Sequence, residues 1–168
     1  MTRSMYKTAG VVFLLTVTGA FGTERVWTGG GGDALWSTAA NWDTGVPASG
    51  DTLVFAGATG LANTNDLAAG TAFNGLVFAK GAGAFALGGN AVTLDGDIQS
   101  QAATATVALP LVLSGDRLCL ASNATLTLSG AVSGPGGLRF EGRWGSTNTF
   151  NLTGDNTFEG PVVVGSAS

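Results

Sequence analysis

The sequence predicts an all-β protein built as a parallel β-solenoid, and three observations carry that prediction. First, glycine makes up 28 of 168 residues, apolar residues 45% and charged residues only 11%. That mix suits many short strands joined by frequent turns and argues against disorder, which needs low hydrophobicity and high charge. Second, triplets with apolar first and third residues recur from residue 76 onward. Third, Gly, Asn, Asp, Ser and Pro fill the gaps between them, and these are the residues that tight turns require.

Residues 1–22 read as a secretory signal peptide. Arg3 and Lys7 supply a positive start, and residues 8–18 (TAGVVFLLTVT) an apolar core far short of the ~20 residues of a membrane span. Ala20-Phe21-Gly22 offers a cleavage site before Thr23. No second long apolar run follows. The expectation is export to the cell surface, the outer membrane or the medium, with no membrane span in the mature chain.

Residues 23–55 form a Trp-rich opening module. Trp27, Trp36 and Trp42 fall within it, and Trp144 stands apart. Val26-Trp27 reads as a strand, Gly29 to Asp33 as a turn, and Thr52 to Phe55 as a strand with Leu53 and Phe55 on one face. Two roles suit three such rings. They can cover the open end of an elongated core, which solenoids need, or present a flat platform to extracellular glycans. The first is preferred here. The platform makes Trp27, Trp36 and Trp42 the candidate ligand-binding residues. Residues 56–75 are small, polar and Gly-rich, and read as a loop followed by a short edge at Phe73. Asn63, Asn65 and Asp66 lack the pattern of a calcium loop and its closing Glu, so they read as turn residues.

Residues 56–168 make up the solenoid, with the best repeat over 134–165. The triplets are Leu76-Val77-Phe78, Phe85-Ala86-Leu87, Val92-Thr93-Leu94, Leu111-Val112-Leu113, Leu118-Cys119-Leu120, Leu126-Thr127-Leu128, Leu138-Arg139-Phe140, Phe150-Asn151-Leu152 and Val162-Val163-Val164. Strands of three residues are too short to stand as hairpins. They are stable when each pairs with its equivalent one coil above and below. Alternation points the outer pair of each triplet inward and the middle residue outward, which places Cys119 outside. A coil of three strands then needs roughly 20–30 residues, and the 27 between Leu111 and Leu138 suggest one coil. Residues 99–110 read as a bulging loop or an added strand at Val107 to Leu109. An antiparallel sandwich would show longer alternating strands.

The segment GPGGLRFEGRWGSTNTFNLTGDNTFEGPVVVGSA resembles the autotransporter-associated β-strand repeat of bacterial surface proteins. The matching pieces are Gly136-Gly137-Leu138, Phe150-Asn151-Leu152-Thr153-Gly154, Asn156-Thr157-Phe158, Gly160 and Val162-Val163-Val164-Gly165. The resemblance implies a right-handed parallel β-helix acting as a surface passenger or stalk, and it supplies no catalytic residue. Arg143-Trp144-Gly145-Ser146 departs from the family's compact Gly-rich step. Asn156 is expected to bond the backbone of a neighbouring coil through its amide.

Composition excludes several chemistries. Histidine is absent, which removes the commonest general base and metal ligand. The single cysteine, Cys119, allows no intrachain disulfide. Past the signal, Arg25, Lys80, Arg117, Arg139 and Arg143 face eleven acids with no basic cluster, so no nucleic-acid partner is expected. No cofactor or metal is expected. Glycan-cleaving enzymes do occur on parallel β-helices, with acids on an outer face. Here Asp95, Asp97, Asp116, Arg117, Glu141 and Arg143 offer only scattered turns, so no catalytic residue is assigned. The function expected is a non-catalytic structural or adhesive surface module. Carbohydrate binding through the Trp cluster is the alternative, and a polysaccharide-degrading fragment the third reading.

Overall fold

The computed structural model describes residues 22–166. The segment read as a signal peptide, Gly22 excepted, lies outside the described residues. Fourteen strands follow in chain order: β1 (Glu24–Trp27), β2 (Thr52–Phe55), β3 (Ala62–Asn65), β4 (Thr71–Phe78), β5 (Phe85–Gly89), β6 (Val92–Ser100), β7 (Thr104–Val107), β8 (Leu111–Leu113), β9 (Arg117–Ala121), β10 (Thr125–Leu128), β11 (Val132–Ser133), β12 (Leu138–Gly142), β13 (Thr149–Leu152) and β14 (Val162–Ser166). A single 3-10 turn, Ala39–Asn41, separates β1 from β2.

Every ladder between these strands is parallel. One sheet runs β1-β2-β4-β6-β9-β12-β14, with β8 and β11 beside the first half of β6. The second runs β13-β10-β7-β5-β3. The fold is a β-solenoid of about five turns. Three flat sides result, because β4 bends at Asn74, where its register with β6 shifts between Phe73 and Gly75. The residues before the bend continue into β8 and β11, and those after it into β9, β12 and β14.

One column of inward residues fixes the coil length. Leu53, Leu76, Ile98, Cys119, Phe140 and Val164 are successive partners, 21 to 24 residues apart. The 27-residue spacing joins different sides: Leu111 pairs with Val132, and Leu138 with Arg117. Coils this short bring backbones together at the corners. A Cβ at Gly96 would stand 1.7 Å from the Asn74 carbonyl oxygen, and one at Gly136 1.8 Å from that of Gly115. Glycine is the residue that permits such contact.

The core is a thin apolar shaft, as the triplets predict. Leu76 and Phe78, Phe85 and Leu87, Val92 and Leu94, Leu111 and Leu113, Leu126 and Leu128, and Leu138 and Phe140 are all buried. Each such side chain contributes about 1.5–3 kcal/mol relative to exposure. A neighbouring column, Trp27, Phe55, Phe78, Ser100, Ala121 and Gly142, loses bulk along the stack.

Three expectations need correction. Cys119 points inward and is fully buried, with Leu118 and Leu120 half-buried to either side. Its ladder partners Ile98 and Phe140 fix the parity of β9. Residues 99–110 do not bulge; they finish β6 and then form β7, which ends at Val107 where a strand was expected to start. Residues 62–65 form β3, whose inward residues Asn63 and Asn65 are buried.

Polar side chains stitch adjacent coils. The Leu118 amide donates to Asp97 Oδ1 (2.9 Å), the Gly137 amide to Asp116 Oδ1 (2.7 Å) and the Val132 amide to Asn156 Oδ1 (2.9 Å). The amide of Asn156 thus binds a neighbouring coil's backbone, as expected. At the C-terminal end Phe150 and Leu152 are half-buried and Val162, Val163 and Val164 exposed, because among the described residues no strand follows β14.

Candidate functional site

The Trp cluster grows from the first coil. Trp27 ends β1, and its neighbour Thr28 donates an amide to the Asn41 carbonyl (2.7 Å), so the chain loops back. Leu35 bridges Thr64 in parallel and so continues the side of β3. The 3-10 turn then delivers Trp42 against Trp27 through an antiparallel bridge. Buried Asn41 holds the loop: its amide donates to Asp33 Oδ1 (2.8 Å) and the Leu35 carbonyl (2.9 Å), and its Oδ1 accepts from the Gly31 amide (2.7 Å).

The rings pack edge to face. Trp27 and Trp42 lie 5.1 Å apart at 85°, and Trp36 and Trp42 6.0 Å apart at 86°. Trp36 also rests on Phe55 (5.9 Å) and Phe73 (6.1 Å). Each indole N–H has a protein acceptor: the Thr59 carbonyl for Trp27, Asn63 Oδ1 for Trp36 and the Trp36 carbonyl for Trp42. Exposures are 1%, 0% and 4% for Trp27, Trp36 and Trp42. No indole face is open to a glycan, so a platform has nothing to rest on. The rings instead cover Phe55 and Phe73 of the next coils. The exposed indole is Trp144, at 85%.

The acids of the opening serve the backbone. Hydrogen bonds from the Leu35 amide and the Thr38 hydroxyl hold the Asp33 carboxyl below its ordinary range. That of the Val26 amide does the same for Asp43. Burial alone would raise Asp51, but the amides of Ala48 and Thr23 and the Arg25 guanidinium (2.8 Å) outweigh it and depress the group.

The acids weighed as catalytic are dispersed. Asp97 and Asp116 accept the coil-to-coil bonds above, Arg117 donates to the Leu94 carbonyl (3.0 Å) and Ser114 Oγ (2.6 Å), and Glu141 pairs with Arg139. Asp95 is exposed. Glu24 and Asp97 line one groove, but they stand three ladder steps apart. At ~4.8 Å per step that is roughly 14 Å, beyond the ~5–9.5 Å at which two carboxylates share a glycosidic bond. Among the described residues no group of three or more His, Cys, Asp or Glu could hold a metal ion, and no helix is long and apolar enough to cross a membrane. Burial and the nearby Asp97 charge push the Cys119 thiol up to about 12.

Comparison with protein-family models, curated proteins and solved structures found no match. What sequence reasoning passed over is the corner carrying Arg143 and Trp144. Its signal was the departure from the repeat pattern at residues 143–146.

Proposed function

We propose that the chain is an exported, non-catalytic structural module of the bacterial cell surface, an autotransporter-type passenger or stalk segment. The observation that supports this best is the use of its polar groups. Asp97, Asp116, Asn148 and Asn156 each accept an amide from a coil next to their own, at separations of 21 or 24 residues. Side chains that would face a substrate in an enzyme here hold neighbouring coils in register. A stack held by nearest-neighbour contacts is a spacer of defined length, and length is what a stalk supplies.

The export reading rests on Arg3, Lys7 and the apolar stretch 8–18. Expression of the full chain in a Gram-negative host, fractionation and N-terminal sequencing test it. A periplasmic or surface product starting at Thr23 supports the reading, and an uncleaved cytosolic product overturns it. Reducing-sugar release from a polysaccharide panel tests the non-catalytic part, since turnover abolished by Asp97→Asn would refute it.

A further inference from the structure

The corner that follows the second side of each coil is uneven. Between β4 and β5 it takes residues 79–84, between β6 and β7 only 101–103, between β9 and β10 only 122–124, and between β12 and β13 residues 143–148. Two long loops thus flank two short turns. The loops lie three coils apart, roughly 14 Å at ~4.8 Å per coil, and the short turns floor the gap. The result is a groove of about 280 Å³ along the solenoid axis, lined by Lys80, Gln101, Ser122, Asn123 and Arg143. Asn123 is the one non-glycine among the described residues with a left-handed backbone (φ 51°), which keeps that turn tight.

The charge of this groove runs against that of the molecule. Of the five basic residues past the signal, Arg25 is bound to Asp51, Arg139 to Glu141, and Arg117 to a carbonyl and a hydroxyl. The remaining two, Lys80 and Arg143, make no ion pair among the described residues, and they form the opposite walls of one groove with no carboxylate in its lining. Its floor offers an amide, a hydroxyl and a second amide. Beside Arg143 stands Trp144, whose indole is 85% exposed. Arg143 and Trp144 also border a second hollow, against Phe150 and Val164.

We propose that this corner binds an anionic saccharide of the uronic acid class. Lys80 and Arg143 meet sugar carboxylates about three coils apart, as acidic units about three sugars apart along an oligosaccharide would present them. Charge-assisted bonds from a guanidinium suit a planar carboxylate. Gln101, Ser122 and Asn123 hydrogen-bond ring hydroxyls between the two charges. Trp144 lays its flat apolar face against the C–H face of a pyranose. A groove with a few convergent polar groups is the usual form of a small-ligand site, and Trp144 stands just beyond its lining, next to Arg143. The site shares no residue with the buried Trp cluster, and it does not depend on the passenger reading.

The test is titration calorimetry of the purified full chain with tetragalacturonate, with cellotetraose as neutral probe and polyphosphate as plain polyanion. Tetragalacturonate binds and weakens as ionic strength rises, while cellotetraose does not bind. Lys80→Ala with Arg143→Ala weakens binding by at least about tenfold, Trp144→Ala by about tenfold, and Arg143→Lys by less than Arg143→Ala. All three side chains are at the surface, so circular dichroism should show an unchanged fold. No binding of tetragalacturonate at low salt, equal binding of cellotetraose, equal binding of polyphosphate, or binding retained in the double variant would each overturn the assignment.

Discussion

Ser100→Ala should make the protein more stable. Ser100 ends β6, and its carbonyl accepts the Ser122 amide at 3.0 Å. Its side chain points into the shaft between Phe78 and Ala121, is 1% exposed, and its Oγ has no hydrogen-bond partner. Burying a hydroxyl without a partner costs about 1–3 kcal/mol. Alanine removes the oxygen and leaves the Cβ in place, so the loss is one atom's dispersion contacts, a few tenths of a kcal/mol. The net gain is about 1 kcal/mol, or roughly 2–4 °C in Tm for a chain of this size. Urea unfolding followed by tryptophan fluorescence and circular dichroism measures it, with a higher midpoint at unchanged slope. Ser122→Ala, at the surface one coil on, serves as control and should stay within about 0.5 kcal/mol. If Ser100→Ala lowers stability by about 1 kcal/mol or more, the hydroxyl is engaged and the reasoning fails.

Three further outcomes are expected. Trp36→Ala should cost about 3–5 kcal/mol by calorimetric unfolding, since it empties the space over Phe55 and Phe73 and orphans Asn63 Oδ1, and Trp36→Phe should lose less. Asp51 has its pKa depressed in the folded chain, so its contribution is present above the unfolded value of about 3.9 and is lost as pH falls through the lower folded value. Stability should therefore decline below about pH 4, and Asp51→Asn should flatten that decline in acid titrations monitored by fluorescence. Cys119, buried and with its thiol raised to about 12, should resist a water-soluble disulfide reagent in native buffer and react fully in denaturant; fast native labelling would place it outside the core.

The triplets were legible because apolar outer residues flank a polar or small middle one, as in Val92-Thr93-Leu94 or Leu126-Thr127-Leu128. Parity fails where that contrast vanishes. Leu118-Cys119-Leu120 is apolar at all three positions, and only its ladder partners Ile98 and Phe140 decide which way it faces. Strand β3 was hidden for the opposite reason. Asn63 and Asn65 look like turn residues, yet inside the coil Asn63 accepts the Trp36 indole N–H and Asn65 donates to the Asn90 carbonyl at 2.9 Å. Those partners lie 27 and 25 residues away, beyond the reach of local pattern. The Trp segment was visible as a cluster, but burial, which separates a cover from a platform, appears only once Phe55 and Phe73 are beneath it. The corner groove was not legible, since Lys80, Gln101, Ser122 and Arg143 share a corner only after coil length and loop length are both known.

The column running from Trp27 through Phe55, Phe78, Ser100 and Ala121 to Gly142 also gives the molecule a direction. Each coil rests only on its neighbours, so cohesion adds up along the axis, and side-chain bulk sets each increment. In this column the bulk shrinks from the aromatic coils to Gly142. From this column alone, the stack is expected to loosen first on the Gly142 side under heat or tension. A chain emerging from synthesis N-terminus first lays down its most cohesive coils before the rest exist, and each later coil condenses on a finished template.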